Sequence, residues 1–234
     1  MVRSFISNHS IESVFLKKTV TYRLLKSGEA PGDCVDLLIV HDGDDYLKLG
    51  MLKEQFENDL QKGLGRNTCF ILLPPGTSID RWHYYHSEGR DVQAFQQFIY
   101  EELLPELRET FKIRKLGMLG DSLAGAVSLR LALHDPNQWT HILLQSAAFS
   151  EKDIKGGANL HKILPWTIYQ SVGTGEDDFV SPITNEYLYI LTRNRQLKTS
   201  IQTAQHIYVE SDHGHLWECW REDLSSAVNI FYTK

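Results

Sequence analysis

The feature that most constrains the fold is an alternation. Short apolar runs recur along the chain, and nearly every one is followed by a stretch with helical spacing. Thr19–Leu25, Val35–Val40 (VDLLIV), Cys69–Leu73 (CFILL), Lys115–Leu119 (KLGML), His141–Ala147, Trp166–Val172 (WTIYQSV) and Gln205–Glu210 read as strands. The nearly continuous apolar run of Val35–Val40 suits a strand buried on both faces. Between the runs, Leu49, Leu52, Phe56 and Leu60 recur at spacings of three and four, and Gly63 and Gly65 stop that helix. Asp91 is placed to cap a long helix that carries Phe95, Phe98, Ile99 and Leu103 on one side. Leu123–Leu133, Asn185–Leu197 and Glu218–Tyr232 complete the helices, while residues 77–90 (TSIDRWHYYHSEGR) read as a polar, aromatic loop. Phe149–Pro165 reads as irregular, a small insert within a single domain spanning 1–234. Strands alternating with helices predict an α/β fold with a mostly parallel central sheet and helices on both faces.

Composition narrows the function classes. The 234 residues carry a formal net charge of −6, which argues against a nucleic-acid partner, since such proteins present a basic face. The 42% hydrophobic content is ordinary for a globular core. No run approaches the roughly 18 apolar residues that span a bilayer, so no membrane partner is expected. Cys34, Cys69 and Cys219 are few, odd in number and widely spaced, which reads as reduced thiols. With no secretion signal read at the N-terminus, the expected location is cytoplasmic.

In an open parallel sheet, chemistry gathers in the loops at the carboxyl ends of the strands. Here those loops carry HDGDD after the second run, GDSLAG after KLGML, GTGEDDFV after WTIYQSV and SDHGHLW after QHIYVE. In Gly120-Asp121-Ser122-Leu123-Ala124-Gly125 a serine sits on a tight strand-to-helix corner that demands small neighbours. The usual pattern is G-x-S-x-G, and Ala124 departs from it while staying small. A serine hydroxyl needs a base to become a nucleophile, and the base needs an orienting acid. The last three loops supply a serine, then acids, then histidines, the chain order expected for a nucleophile elbow.

These stretches resemble the esterase D and enterochelin-esterase-like group of α/β hydrolases, from about Val35 to the end of the chain. The matching segments are LLIVHDGDDY, FIYEELLPEL, GDSLAG, GTGEDDFV and GHLWECWREDL. The resemblance implies an α/β-hydrolase fold and a serine esterase without metal or organic cofactor. It implies Ser122 as nucleophile and His215, rather than His213, as base. Asp177 would be the acid, with Asp178 and Glu176 as rivals. The N–H of Leu123 and one from the loop around Gly43 and Asp44 would form the oxyanion hole. Where the family often has H-G-G, this chain has H-D-G-D-D, which leaves open which N–H points inward.

Several readings compete at these positions. HDGDD invites a metal, but its acids lack EF-hand spacing. His83 and His86 lack the partners of a zinc site. Arg81, Trp82, Tyr84 and Tyr85 read equally well as an amphipathic substrate-binding wall or as a surface loop pinned by buried rings. The expected partner is a small-molecule ester, with a homodimer left open. Acyl and alcohol specificity are not legible, and a siderophore trilactone esterase or a thioesterase of the same fold are alternatives. So is a hydrolase fold that has lost catalysis and only binds.

Overall fold

The computed structural model describes residues 3–28, 34–158 and 163–233. Its frame is one eight-stranded sheet, and the run Val35–His41 (β3) shows how it is made. Every residue of β3 is buried. Its side chains alternate between two cores, Leu37 and Ile39 joining one and Leu38 and Val40 the other. The remaining strands are β1 (Ser4–Ser13), β2 (Lys18–Ser27), β4 (Thr68–Leu73), β5 (Ile113–Asp121), β6 (His141–Gln145), β7 (Leu164–Gly173) and β8 (Thr203–Ser211). Their order is β1-β2-β4-β3-β5-β6-β7-β8. The β1–β2 and β2–β4 pairs are antiparallel, and the pairs from β4–β3 to β7–β8 are parallel.

Each core belongs to its own set of helices. Tyr46 of α1 (Gly43–Lys48), Phe56 of α2 (Leu52–Gln61) and Phe231 of α9 (Trp217–Tyr232) pack on one face. The other face takes α3 (Ser78–Tyr85), α4 (Val92–Gln97), α5 (Leu104–Thr110), α6 (Ser122–His134) and α8 (Ile190–Ser200). Helix α7 (Glu151–Ala158) lies beside α6 and α8. Nearly all of α6 is buried, from Leu123 through Leu129, which is why its sequence shows small and apolar residues rather than a polar stripe.

The differences from the sequence reading have local causes. Strand β1 is an edge strand exposed at most positions, so it carries no apolar signature, and only its pairing with β2 makes it a strand. The expected loop at 77–90 contains helix α3, started by a capping box in which the Thr77 side chain and Asp80 satisfy each other's backbone donors. The long helix after Asp91 is helical from Val92 to Thr110 but widens into a π-helical turn at Phe98–Leu103, just ahead of Pro105. A proline has no N–H to give, which fits the irregular turn. The Asp91 side chain pairs with Arg90 instead of capping that helix. Helix α8 starts at Ile190, not Asn185, because Asn185 and Tyr189 have left-handed backbone conformations (φ 57° and 48°). Of Phe149–Pro165, residues 151–158 form α7, and 159–162 lie outside the described residues.

Among the described residues no helix is long and apolar enough to cross a membrane, and Cys34, Cys69 and Cys219 are unbridged. Phe56 is fully buried, edge-on to Phe70 with ring centroids 4.9 Å apart. Phe56→Ala should therefore cost about 3–5 kcal/mol, seen as a lower urea midpoint with an unchanged slope.

Candidate active site

Strand β5 ends at Asp121 and α6 begins at Ser122 with no residue between them. The chain makes that corner by placing Ser122 at φ 47°, a conformation that side-chain-bearing residues seldom adopt. Close packing around the corner depends on small residues. A Cβ on Gly120 would lie 2.4 Å from the backbone carbon of Ala124, and one on Gly125 would lie 2.6 Å from the Ala147 Cβ. Ala124 is itself fully buried, so the position allows a methyl group with nothing larger called for.

The corner delivers the Ser122 Oγ to the loop after β8. His215 Nε2 lies 2.9 Å from that oxygen, and His215 Nδ1 lies 3.0 Å from Glu176 Oε2. A carboxylate only accepts, so His215 donates from Nδ1 and keeps Nε2 as the acceptor for the serine hydroxyl. Phe179 and Trp220 pack on the imidazole at centroid distances of 4.2 and 4.8 Å. Glu176 is fully buried, and its other oxygen, Oε1, accepts from Ser146 Oγ at 2.6 Å and Gly173 N–H at 3.0 Å. Trp220 Nε1–H in turn donates to Ser146 Oγ at 2.8 Å. The carboxylate is thus held by the ends of β6 and β7 and by α9 before it meets the histidine.

The acid facing His215 is therefore Glu176, not Asp177. The turn Glu176–Asp178 points its first side chain inward and its second toward α8. There Asp177 accepts from the Thr192 backbone N–H at 2.9 Å and hydroxyl at 2.6 Å, a helix-start contact. Asp178 is exposed. His213 sits beside the same carboxylate, its Nδ1 3.6 Å from Glu176 Oε1, but its ring is anchored on the Gly214 carbonyl at 2.9 Å.

A cavity of about 150 Å³ opens at Ser122, walled by Leu123, Ala148, Phe149, Phe179, Leu188 and Trp82, with Arg81, His86 and Arg193 also reaching it. Of the expected wall, Arg81 and Trp82 are there, and His86 stacks on Trp82 at 3.9 Å. Tyr84 and Tyr85 are not: helical turning of α3 sends both into the core, where Tyr85 is fully buried. His86 is held below the usual histidine range by burial and the nearby Arg130 charge. Leu123 lines the cavity, but Gly43 and Asp44 do not; Asp44 faces a separate groove along β1 and β2, ion-paired with Arg23 at 2.5 Å. Gly43 packs against β4, where a Cβ would lie 2.5 Å from the Leu72 carbonyl carbon.

Beneath the corner lies a charge cluster. Arg81 binds Asp42 through Nε at 2.7 Å and Nη2 at 2.6 Å, and its Nη2 is 4.0 Å from Asp121. Burial opposes the Arg81 charge, but the two carboxylates outweigh it and raise its pKa. Asp121 is driven well above the usual carboxylate range by burial and by the neighbouring Asp42 charge, against the pull of Arg81. His41, fully buried against Tyr85 and Phe95, is pushed down to about 3 by burial and stays neutral. Among the described residues no group of three or more His, Cys, Asp or Glu side chains gathers as a metal site.

Fold and site together define an α/β hydrolase with serine, histidine and a buried carboxylate in continuous hydrogen-bond contact. Residues 16–231 match the family described as "Esterase: Putative esterase", and the chain belongs to it; the chemistry of that class is ester hydrolysis. The "Uncharacterized protein YjcH" of Bacillus subtilis (strain 168) is 29% identical over 210 residues, 87% of each chain. The enterobactin esterase FES from Shigella flexneri, solved in the presence of enterobactin, superposes with a TM-score of 0.79 at 17% identity. That match covers 97% of this chain but only 59% of the Shigella enzyme. The BES protein from Bacillus cereus superposes with a TM-score of 0.75 at 15% identity, over 100% of this chain and 98% of that one.

The raised Asp121 pKa has a stability signature. The unfolded carboxyl loses its proton in mild acid while the folded one keeps it, so the folded state is penalised increasingly as pH rises toward the folded pKa. Asp121→Asn removes that penalty. Its stability advantage over the parent should be small near pH 4 and grow by at most about 1.4 kcal/mol per pH unit above it, read from urea unfolding at several pH values.

Proposed function

We propose that this protein is a serine esterase that hydrolyses small-molecule carboxylic esters through an acyl-serine intermediate. The supporting observation is the unbroken contact from Ser122 Oγ through His215 to the buried Glu176. In the reaction, Ser122 Oγ bonds to the ester carbonyl carbon as His215 Nε2 takes the hydroxyl proton. Glu176 holds the Nδ1–H and stabilises the imidazolium that results. The carbonyl oxygen becomes an oxyanion near the N–H of Leu123, a donor in the first turn of α6, where backbone N–H groups have no intrahelical acceptor. Each donor of this kind is worth about 3 kcal/mol. The carbon–alkoxide bond breaks as His215 returns the proton to the leaving alcohol. Water, deprotonated by the same nitrogen, then releases the acid and restores Ser122. Apart from water, these steps use the chain's own residues. The cavity at Ser122 has about the volume that holds a benzene ring in an apolar protein interior, which favours a short acyl chain or a single ring.

Labelling with a fluorophosphonate tests the reading. A single adduct on Ser122 is expected by intact mass and peptide mapping, and it should be absent in His215→Ala. Failure of the parent protein to label under conditions that label a control esterase favours a binding role for the fold.

The two acids separate in the same assay. Glu176→Gln should slow labelling and ester turnover by roughly a thousandfold, because Ser146 and Gly173 hold the amide oxygen, its NH2 turns to Nδ1, and the imidazole proton moves to Nε2, where the base is needed. Asp177→Asn should label close to the parent rate and cost about 1 kcal/mol of stability from the weakened α8 start. The reverse pattern returns the acid role to Asp177.

A further inference from the structure

The charges around the cavity are unevenly compensated. Arg81 is ion-paired with Asp42 at 2.6 Å, and Arg130 with Asp153 at 3.0 Å. Two residues further along α8 from Arg193, Arg195 pairs with Glu210 at 2.6 Å. His86 has its pKa lowered by burial. Arg193 is different. It is half-buried, it reaches the cavity at Ser122, and its Nη1 donates to the Phe149 carbonyl at 3.0 Å. Among the described residues no carboxylate pairs with it, and only that one of its five N–H donors has a protein acceptor. Most of the remaining wall is apolar, with Leu123, Ala148, Phe149, Phe179, Ile183 and Leu188, and Ser150 and Ser181 are its other polar residues.

A second, broader groove of about 430 Å³ adjoins the first and shares Trp82, His86, Ser150, Leu188 and Arg193 with it. Its lysines are already paired, Lys152 with Glu88 and Lys155 with Glu151, while among the described residues its Glu186 has no cation partner. The two spaces assign the two halves of an ester. The acyl group stays on Ser122 until water arrives and suits the narrower cavity. The alcohol must leave and suits the broader groove. Arg193 lines this chamber with N–H donors that no group among the described residues accepts, so a bound anion can take them.

We infer, on the basis of the serine-esterase reading, that Arg193 is a specificity-determining residue and that the acyl part of the substrate carries a carboxylate. The substrate class is the monoester of a short dicarboxylic acid, its ester carbonyl at Ser122 and its free acid on the unpaired guanidinium donors of Arg193. A charge-assisted contact of this kind favours the acid-bearing ester over a neutral one of the same length by roughly tenfold to a hundredfold.

The probes are mono-p-nitrophenyl adipate and p-nitrophenyl hexanoate, of equal chain length, with the ratio of their kcat/KM values as the readout. Within one sample that ratio is independent of the fraction of active protein. The parent protein should prefer the adipate monoester. Arg193→Met should lower the ratio at least tenfold, mainly through KM for the anionic ester, and Arg193→Lys should restore part of it. A parent preference for the hexanoate, or a ratio unmoved by Arg193→Met, overturns the inference while leaving the esterase reading intact. If the parent turns over neither ester and Ser122 takes no fluorophosphonate, the esterase reading fails, and this one with it.

Discussion

The strained corner at Ser122 is the constraint on which the site depends. A left-handed serine between the last residue of β5 and the first turn of α6 survives because strand and helix hold it from both sides. That grip needs Gly120 and Gly125, whose missing side chains let α6 and the chain after β6 approach within contact distance. It also needs the deep burial of α6, which anchors the far side of the turn in the core. Strain held this way gives a hydroxyl fixed in place above the sheet, next to backbone donors that no helix bond consumes.

The same logic governs Glu176 and His215. A fully buried carboxylate is costly unless its lone pairs are occupied. Here Ser146, Gly173 and His215 occupy them, and Trp220 holds Ser146. These groups come from β6, β7, the loop after β8 and α9, so the imidazole is oriented by the sheet's ends as much as by its own loop. Arg81 makes a comparable bridge on the other side, from α3 to Asp42 after β3 and to Asp121 before the serine. Ser122, His215 and the neighbouring loop are thereby set by buried polar contacts between elements far apart in sequence.

The cavity adds selectivity to that frame. Its walls come from α3, the segment after β6, the loop 179–188 and α8, the parts of the chain where the strand-and-helix pattern is least regular. The frame carries the chemistry common to the class, and these irregular segments shape what can enter.

Much of this was legible in the residues. The apolar runs of β3 to β7 and the small-residue signature of α6 report buried sheet and close packing, because burial on two faces leaves few residue types available. The order of serine, acid loop and histidine loop placed Ser122 and His215 at the same carboxyl edge of the sheet, where the loops of a parallel sheet gather. Edge strand β1, whose exposed residues carry no apolar signal, became a strand only through its partner β2. The capping box Thr77–Asp80 is a readable mark of α3, masked by the aromatic residues that follow it, and once that segment winds as a helix Tyr84 and Tyr85 turn into the core. Three consecutive acids at 176–178 are equivalent by charge, and only the turn they occupy separates Glu176 from Asp177. One side chain meets donors buried beneath the loop, the other meets the start of α8. Sequence specifies which residues can be buried and which can react, whereas the direction a side chain takes from a turn is set by contacts between segments that only the folded chain brings together.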